Sequence, residues 1–168
     1  MRPRTDEILR SLLWTFDEWI EPETTTPFAR SLALTMGNLM RHVILRVELE
    51  GDLLFEDNRE LRQLLARIAG YAQGEDRGLA ALGDRISGAL AARYWGGDVY
   101  PSVARLVEEA TALRWALTDA IRELQARRAR LGESQDYRDV RRDIRDYLGR
   151  QLDREGKMIE PAFVGERR

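Results

Sequence analysis

Apolar residues recur along this chain at intervals of three and four, the spacing that gathers them on one face of an α-helix. In residues 5–21 they are Leu9, Leu12, Leu13, Phe16, Trp19 and Ile20, with Thr5 placed to cap the helix and Pro22 to end it. Residues 27–50 predict the cleanest long helix. Thr26 is the expected N-cap, Pro27 suits the first helical position and Gly51 the stop. On this helix Leu32, Met36, Leu39, Met40, Val43, Ile44 and Val47 fall on one broad arc that belongs against a core. Ser31, Thr35, Asn38, His42 and Arg46 form a polar line along its edge, with Leu34 and Leu45 beyond it. Apolar surface on two sides of a polar seam suits the central helix of a bundle or a helix at a dimer interface.

After a turn at Gly51 and Asp52, residues 58–73 predict a third helix with Leu61, Leu64, Leu65, Ile68 and Ala72 inward. Asp57 and Glu60 fit a carboxylate capping box at its start, and Leu53, Leu54 and Phe55 are placed to plug the bundle end. Leu79, Leu82, Ile86, Leu90 and Tyr94 keep a helical period that Gly78, Gly83 and Gly88 weaken, up to a turn at Gly96, Gly97 and Asp98. Residues 102–131 carry Val103, Leu106, Ala110, Leu113, Leu117, Ala120, Leu124 and Leu131 in a coiled-coil-like seam broken only at Arg127 and Arg128. Its length as a helix is about 45 Å. Ser134 caps a last helix to about residue 155, with Val140, Ile144, Tyr147, Leu148 and Leu152 inward. Outside, Arg142 with Asp146, Asp146 with Arg150, and Asp153 with Lys157 stand four apart.

The expected fold is all-α: an antiparallel helical bundle of five to six helices with one helix of about 30 residues. Residues 1–168 read as a single domain, with 156–168, including Phe163 and Val164, as a C-terminal arm.

Composition narrows the chemistry. Hydrophobic residues at 43% and charged residues at 33% describe a soluble globular chain, and a formal charge of −2 gives no global basic footprint for nucleic acid. Lys157 is the single lysine, so the other 26 of the 27 basic residues are arginines, a skew that GC-rich genomes produce. The chain has no cysteine, which removes disulfides, thiolate catalysis and cysteine metal sites. The N-terminal stretch lacks a signal-peptide core and no window is long and apolar enough to span a bilayer, so a bacterial-type cytoplasmic protein is expected.

His42 is the only histidine, and no Glu stands three residues before it, so a di-iron Glu-x-x-His pair is excluded. HExxH, G-x-S-x-G, the dinucleotide fingerprint and the P-loop are absent, and no metal or cofactor is implied. One candidate ligand site remains, made of Asn38, His42 and Arg46 with Thr35, where His42 can exchange a proton and Arg46 can hold a carboxylate or phosphate. The same seam reads equally as wetted surface or a structural hydrogen-bond network. Between Arg122 and Arg154 ten arginines face seven acids, a locally basic stretch laced with carboxylates. Residues 79–95 resemble the helix-turn-helix of TetR-type regulators in a small-residue turn, a serine and a closing aromatic pair. The interval from Gly83 to Ser87 is longer than that motif takes, and no residue role carries over.

The leading functional expectation is a non-catalytic helical interaction or accessory protein that self-associates through helices 27–50 and/or 102–131. Trp14 and Trp115, both off the main stripe of their helices, add to it. A small-molecule binder or enzyme at the Asn38, His42 and Arg46 seam is the second expectation, and a DNA-binding regulator the third.

Overall fold

The computed structural model describes residues 2–74, 78–92 and 99–159, and among them every regular element is helical. In chain order these are α1 (Thr5–Thr15), a widened turn (Phe16–Ile20), a tight turn (Glu21–Glu23), α2 (Pro27–Ala72), α3 (Ala80–Ala91), α4 (Val103–Ala126), the short α5 (Arg128–Leu131) and α6 (Gln135–Ile159). The expected turn at Gly96, Gly97 and Asp98, the aromatics Tyr94 and Trp95, and the Phe163 and Val164 part of the arm lie outside the described residues. The chain divides into two compact units, one of residues 1–51 and 153–168 and the other Asp52–Leu152.

Several boundaries differ from the sequence expectation: α1 ends at Thr15 rather than running to residue 21, and α6 continues to Ile159. The separate helices 27–50 and 58–73 are one 46-residue helix, because Gly51 and Asp52 continue α2 rather than stop it. A glycine inside a helix costs about 1 kcal/mol, which the apolar residues on both sides outweigh once they pack. Asp57 is therefore no cap but an interior residue of α2. The helix expected over 102–131 ends at Ala126, Arg127 leaves the helical ladder, and α5 adds one separate turn. At the start, Thr5 is already helical, and the backbone N–H of Arg4 is satisfied at 2.9 Å by the Glu7 carboxylate. The N-caps at Thr26 and Ser102 form, their hydroxyls accepting from the N–H groups of Ala29 and Arg105.

In the second unit the lower half of α2, then α3, α4 and α6, run up, down, up and down. The direction follows from which residues meet. Arg62 of α2 donates to the Leu90 and Ala92 carbonyls at the end of α3, Arg85 of α3 pairs with Asp119 of α4, and Tyr137 of α6 donates to the Leu124 carbonyl of α4. Arg62 thus places a cation on the negative end of α3. Arg142 pairs with Asp139, and Arg150 crosses to Glu60 of α2, in place of the pairs four apart expected along α6. The core is closed: Leu61, Leu64, Leu65 and Ile68 of α2, Leu82 and Ile86 of α3, Leu113, Leu117 and Leu124 of α4, and Tyr137, Ile144 and Tyr147 of α6 are buried together. The apolar seam of 102–131 is consumed there.

The first unit is thinner. Arg41 pairs with Asp17 at 3.1 Å and Arg10 with Glu48 at 2.5 Å. Seven residues back on the first element match seven forward on α2, so the two run antiparallel. In that register α1 lies beside the stretch of α2 from about residue 43 onward, and the turns at 16–23 face the preceding residues. In the widened turn the Glu21 N–H reaches back five residues to the Phe16 carbonyl. Among the described residues of this unit, Phe16, Ala33 and Ile44 are the buried hydrophobics.

The arc expected against a core is therefore corrected. Ile44 is buried, but Leu32, Met36, Leu39, Val43 and Val47 are exposed, because α1 and the turns after it lie toward the Ala33, Gly37 and Ile44 side of α2 instead.

Candidate functional site

Three places carry candidate chemistry: the polar seam of α2, the buried polar groups of the second unit, and the exposed apolar stripe of α2.

Along the seam, His42 is half-buried with both ring nitrogens engaged. Arg46 Nε–H donates to His42 Nε2 at 3.2 Å, which makes Nε2 an acceptor. The proton then sits on Nδ1, which donates to the Met158 carbonyl at 2.9 Å. The ring ties the end of α6 to α2. Arg46 also pairs with Glu50 at 2.5 Å. Asn38 stands apart, its side-chain oxygen accepting from Arg41 at 3.3 Å, and the Thr35 hydroxyl donates to the Ser31 carbonyl of its own helix. The structure joins His42 to Arg46, and it gives Asn38 and Thr35 other partners.

The second unit holds a polar network absent from the sequence expectation. Asp57 and Asn58, adjacent on α2, are almost wholly buried, as is Glu109 on α4. Tyr147 donates its hydroxyl to Asp57 Oδ1 at 3.2 Å, and Arg114 donates to Oδ2 at 3.0 Å. Asn58 donates its amide to the Leu106 carbonyl and to Glu109, whose other oxygen takes Arg62 at 2.5 Å. Each buried carboxylate therefore has a cation and a neutral donor, the arrangement that makes burial of charge tolerable. Burial pushes the Tyr147 hydroxyl well above its ordinary range, and the Asp57 charge adds to the shift while Arg114 opposes it. A phenol so raised holds its proton through the neutral range, and the network joins α2, α4 and α6 at one level.

A signal for it was present in the sequence. Asp57 stands four before Leu61, and Glu109 three after Leu106, so both occupy positions of their apolar stripes. A carboxylate in such a slot needs a partner from another helix.

The third place is the stripe. Phe28, Leu32, Met36, Leu39, Val43 and Val47, spaced 4, 4, 3, 4 and 4, lie within about 100° of one another around α2. Each is between 45% and 74% exposed. From residue 28 to residue 43 no charged side chain falls in that sector, whose edges are Ser31 and Thr35 on one side and Ala29 and Met40 on the other. Trp14, Trp19 and Ile20 of the same unit are also exposed.

Among the described residues no group of three or more metal-ligating side chains converges, and no helix is long and apolar enough to cross a membrane. Comparison with family models, with curated proteins and with solved structures finds no match.

Proposed function

We propose that this is a non-catalytic helical interaction protein that self-associates, and that the contact is the apolar stripe of α2 between residues 28 and 47 against the same stripe of a second copy. The observation that carries the reading is the exposure of those six side chains. They form one contiguous apolar sector, the kind of exposed patch that marks an interaction surface. The spacing suits a helix-to-helix seam, and the lack of charge at its centre with methionine present matches the make-up of interface cores. A surface that repeats on an identical chain is self-complementary about a twofold axis. The 102–131 seam is not offered for this contact, since its leucines are buried within their own unit. The His42 and Arg46 pair is bound within its own chain, which favours its structural role.

The cysteine-free chain permits a direct test. Met36→Cys and Leu39→Cys stand at the middle of the stripe, where a twofold axis would bring two helices within disulfide distance. Oxidation of a mixture of the two variants is expected to give covalent dimer in high yield, and Arg122→Cys in the second unit is expected to give little. Equal yields from all three would remove the proposal.

A further inference from the structure

Beyond self-association, the second unit carries a cleft of about 410 Å³ lined by Arg128, Gly132, Tyr137, Arg138, Arg141 and Arg145. That volume lies in the range of small-molecule sites. Arg138, Arg141 and Arg145 follow at intervals of three and four along one side of α6, and Arg128 comes from α5. Like charges so spaced on a helix repel one another.

Elsewhere arginines are brought to carboxylates: Arg41 to Asp17, Arg62 to Glu109, Arg67 to Asp143, Arg150 to Glu60. In the cleft none is. Arg138 donates to the neutral Gln135 amide oxygen at 3.2 Å. Arg141 donates to the Tyr137 hydroxyl at 3.5 Å, and its guanidinium sits 5.9 Å over the Tyr137 ring. Among the described residues the side chains of Arg128 and Arg145 make no hydrogen bond or ion pair. Gly132 is required by the backbone at this point, since a Cβ there would lie 2.7 Å from the Arg128 carbonyl oxygen.

We propose that this cleft binds a small polyphosphate, a ligand with two or more linked phosphate groups. The planar guanidinium fork matches phosphate oxygens two at a time, and four of them around one cleft match a compact anion of several charges. The ligand would also relieve the repulsion along α6. The span from residue 138 to residue 145 is about 10 Å, which fits two or three phosphates. A duplex calls for roughly 6–10 phosphate contacts. Asp139, Asp143 and Asp146 occupy the adjoining side of α6 and would repel an extended polyanion.

Calorimetric titration of the full chain with sodium tripolyphosphate tests this at low and at moderate salt. The expected result is saturation at one per chain, weaker as salt rises. Arg138→Gln with Arg145→Gln together are expected to lower the affinity at least about ten-fold, and Arg128→Gln, on a different element, to lower it as well. Arg122→Gln, an exposed arginine outside the cleft, is expected to leave it unchanged. Circular dichroism melts check that each variant keeps its fold, which the absence of carboxylate partners leads one to expect. No saturation at low salt would overturn the proposal. So would a loss in Arg122→Gln equal to that of the double variant, or a single-stranded oligonucleotide bound more tightly than tripolyphosphate.

Discussion

The two halves of α2 carry the same kind of residue at the same spacing and treat it in opposite ways. In the second unit Leu61 and Leu65 are fully buried, whereas Leu32 and Leu39, on the same helix in the first unit, are 54% and 60% exposed. The difference lies in the neighbours. Residues 52–72 pack within a bundle with α3, α4 and α6. Residues 27–51 have the short α1 and two irregular turns on the side of α2 that carries Ala33, Gly37 and Ile44, and the end of α6 at His42. A helix with an apolar sector left exposed among the described residues is the physical basis for expecting a second chain there.

That contrast can be broken or sharpened by substitution. The largest effect is expected at the closed end. Leu65→Ala should lower the unfolding free energy by about 3–4 kcal/mol, read from urea unfolding, since it leaves a cavity among fully buried neighbours. Asp57→Ala comes next, at about 2–3 kcal/mol by the same measurement. It strips the buried Tyr147 hydroxyl of its acceptor and takes a carboxylate from Arg114, although Arg114 reaches solvent and softens the loss.

His42→Ala should cost about 1 kcal/mol and should speed hydrogen exchange at the end of α6, where the Met158 carbonyl loses its donor. Smallest is Leu39→Ala in dilute monomer, expected within about 0.5 kcal/mol. If Leu39→Ala cost the dilute monomer as much as Leu65→Ala, the contrast between the two halves would be wrong.

Proton linkage gives a further handle on the closed unit. Tyr147 is raised above its unfolded value of 10.0, so its contribution is complete below about pH 10. As pH rises above that, the unfolded chain releases the phenolic proton and the folded chain keeps it, so stability falls. Urea midpoints are expected to drop from pH 9.5 to pH 11, more steeply in the wild type than in Tyr147→Phe. Equal slopes would place Tyr147 outside the linkage.

Much of this architecture was legible from spacing alone. The 3/4 repeat located most of the inward residues of the helices expected over 58–73, 102–131 and 134–155, because those positions had neighbours to bury them, whereas Val103, Leu148 and Leu152, expected inward, are exposed. Gly51 misled because a single glycine is a weak stop when Leu49, Leu53 and Leu54 keep the helical period on both sides. The arc at Leu32, Met36 and Leu39 is exposed although its spacing is that of a core face. An apolar sector says that a surface wants covering, while what covers it depends on the length and placement of another element. Asp57 was mistaken for a cap because Asp favours caps, and its place on the Leu61 stripe was the stronger clue. His42 and Arg46 were legible as neighbours four apart, whereas the Met158 carbonyl, 116 residues away, was not.

Sedimentation velocity over a concentration series tests the self-association claim most directly, with wild type run beside a variant carrying Met36→Glu and Leu39→Glu. The expected result is a wild-type dimer that dissociates on dilution and a variant that stays monomeric with an unchanged circular dichroism melt at low concentration. A wild-type chain that remains monomeric throughout the series would contradict the account.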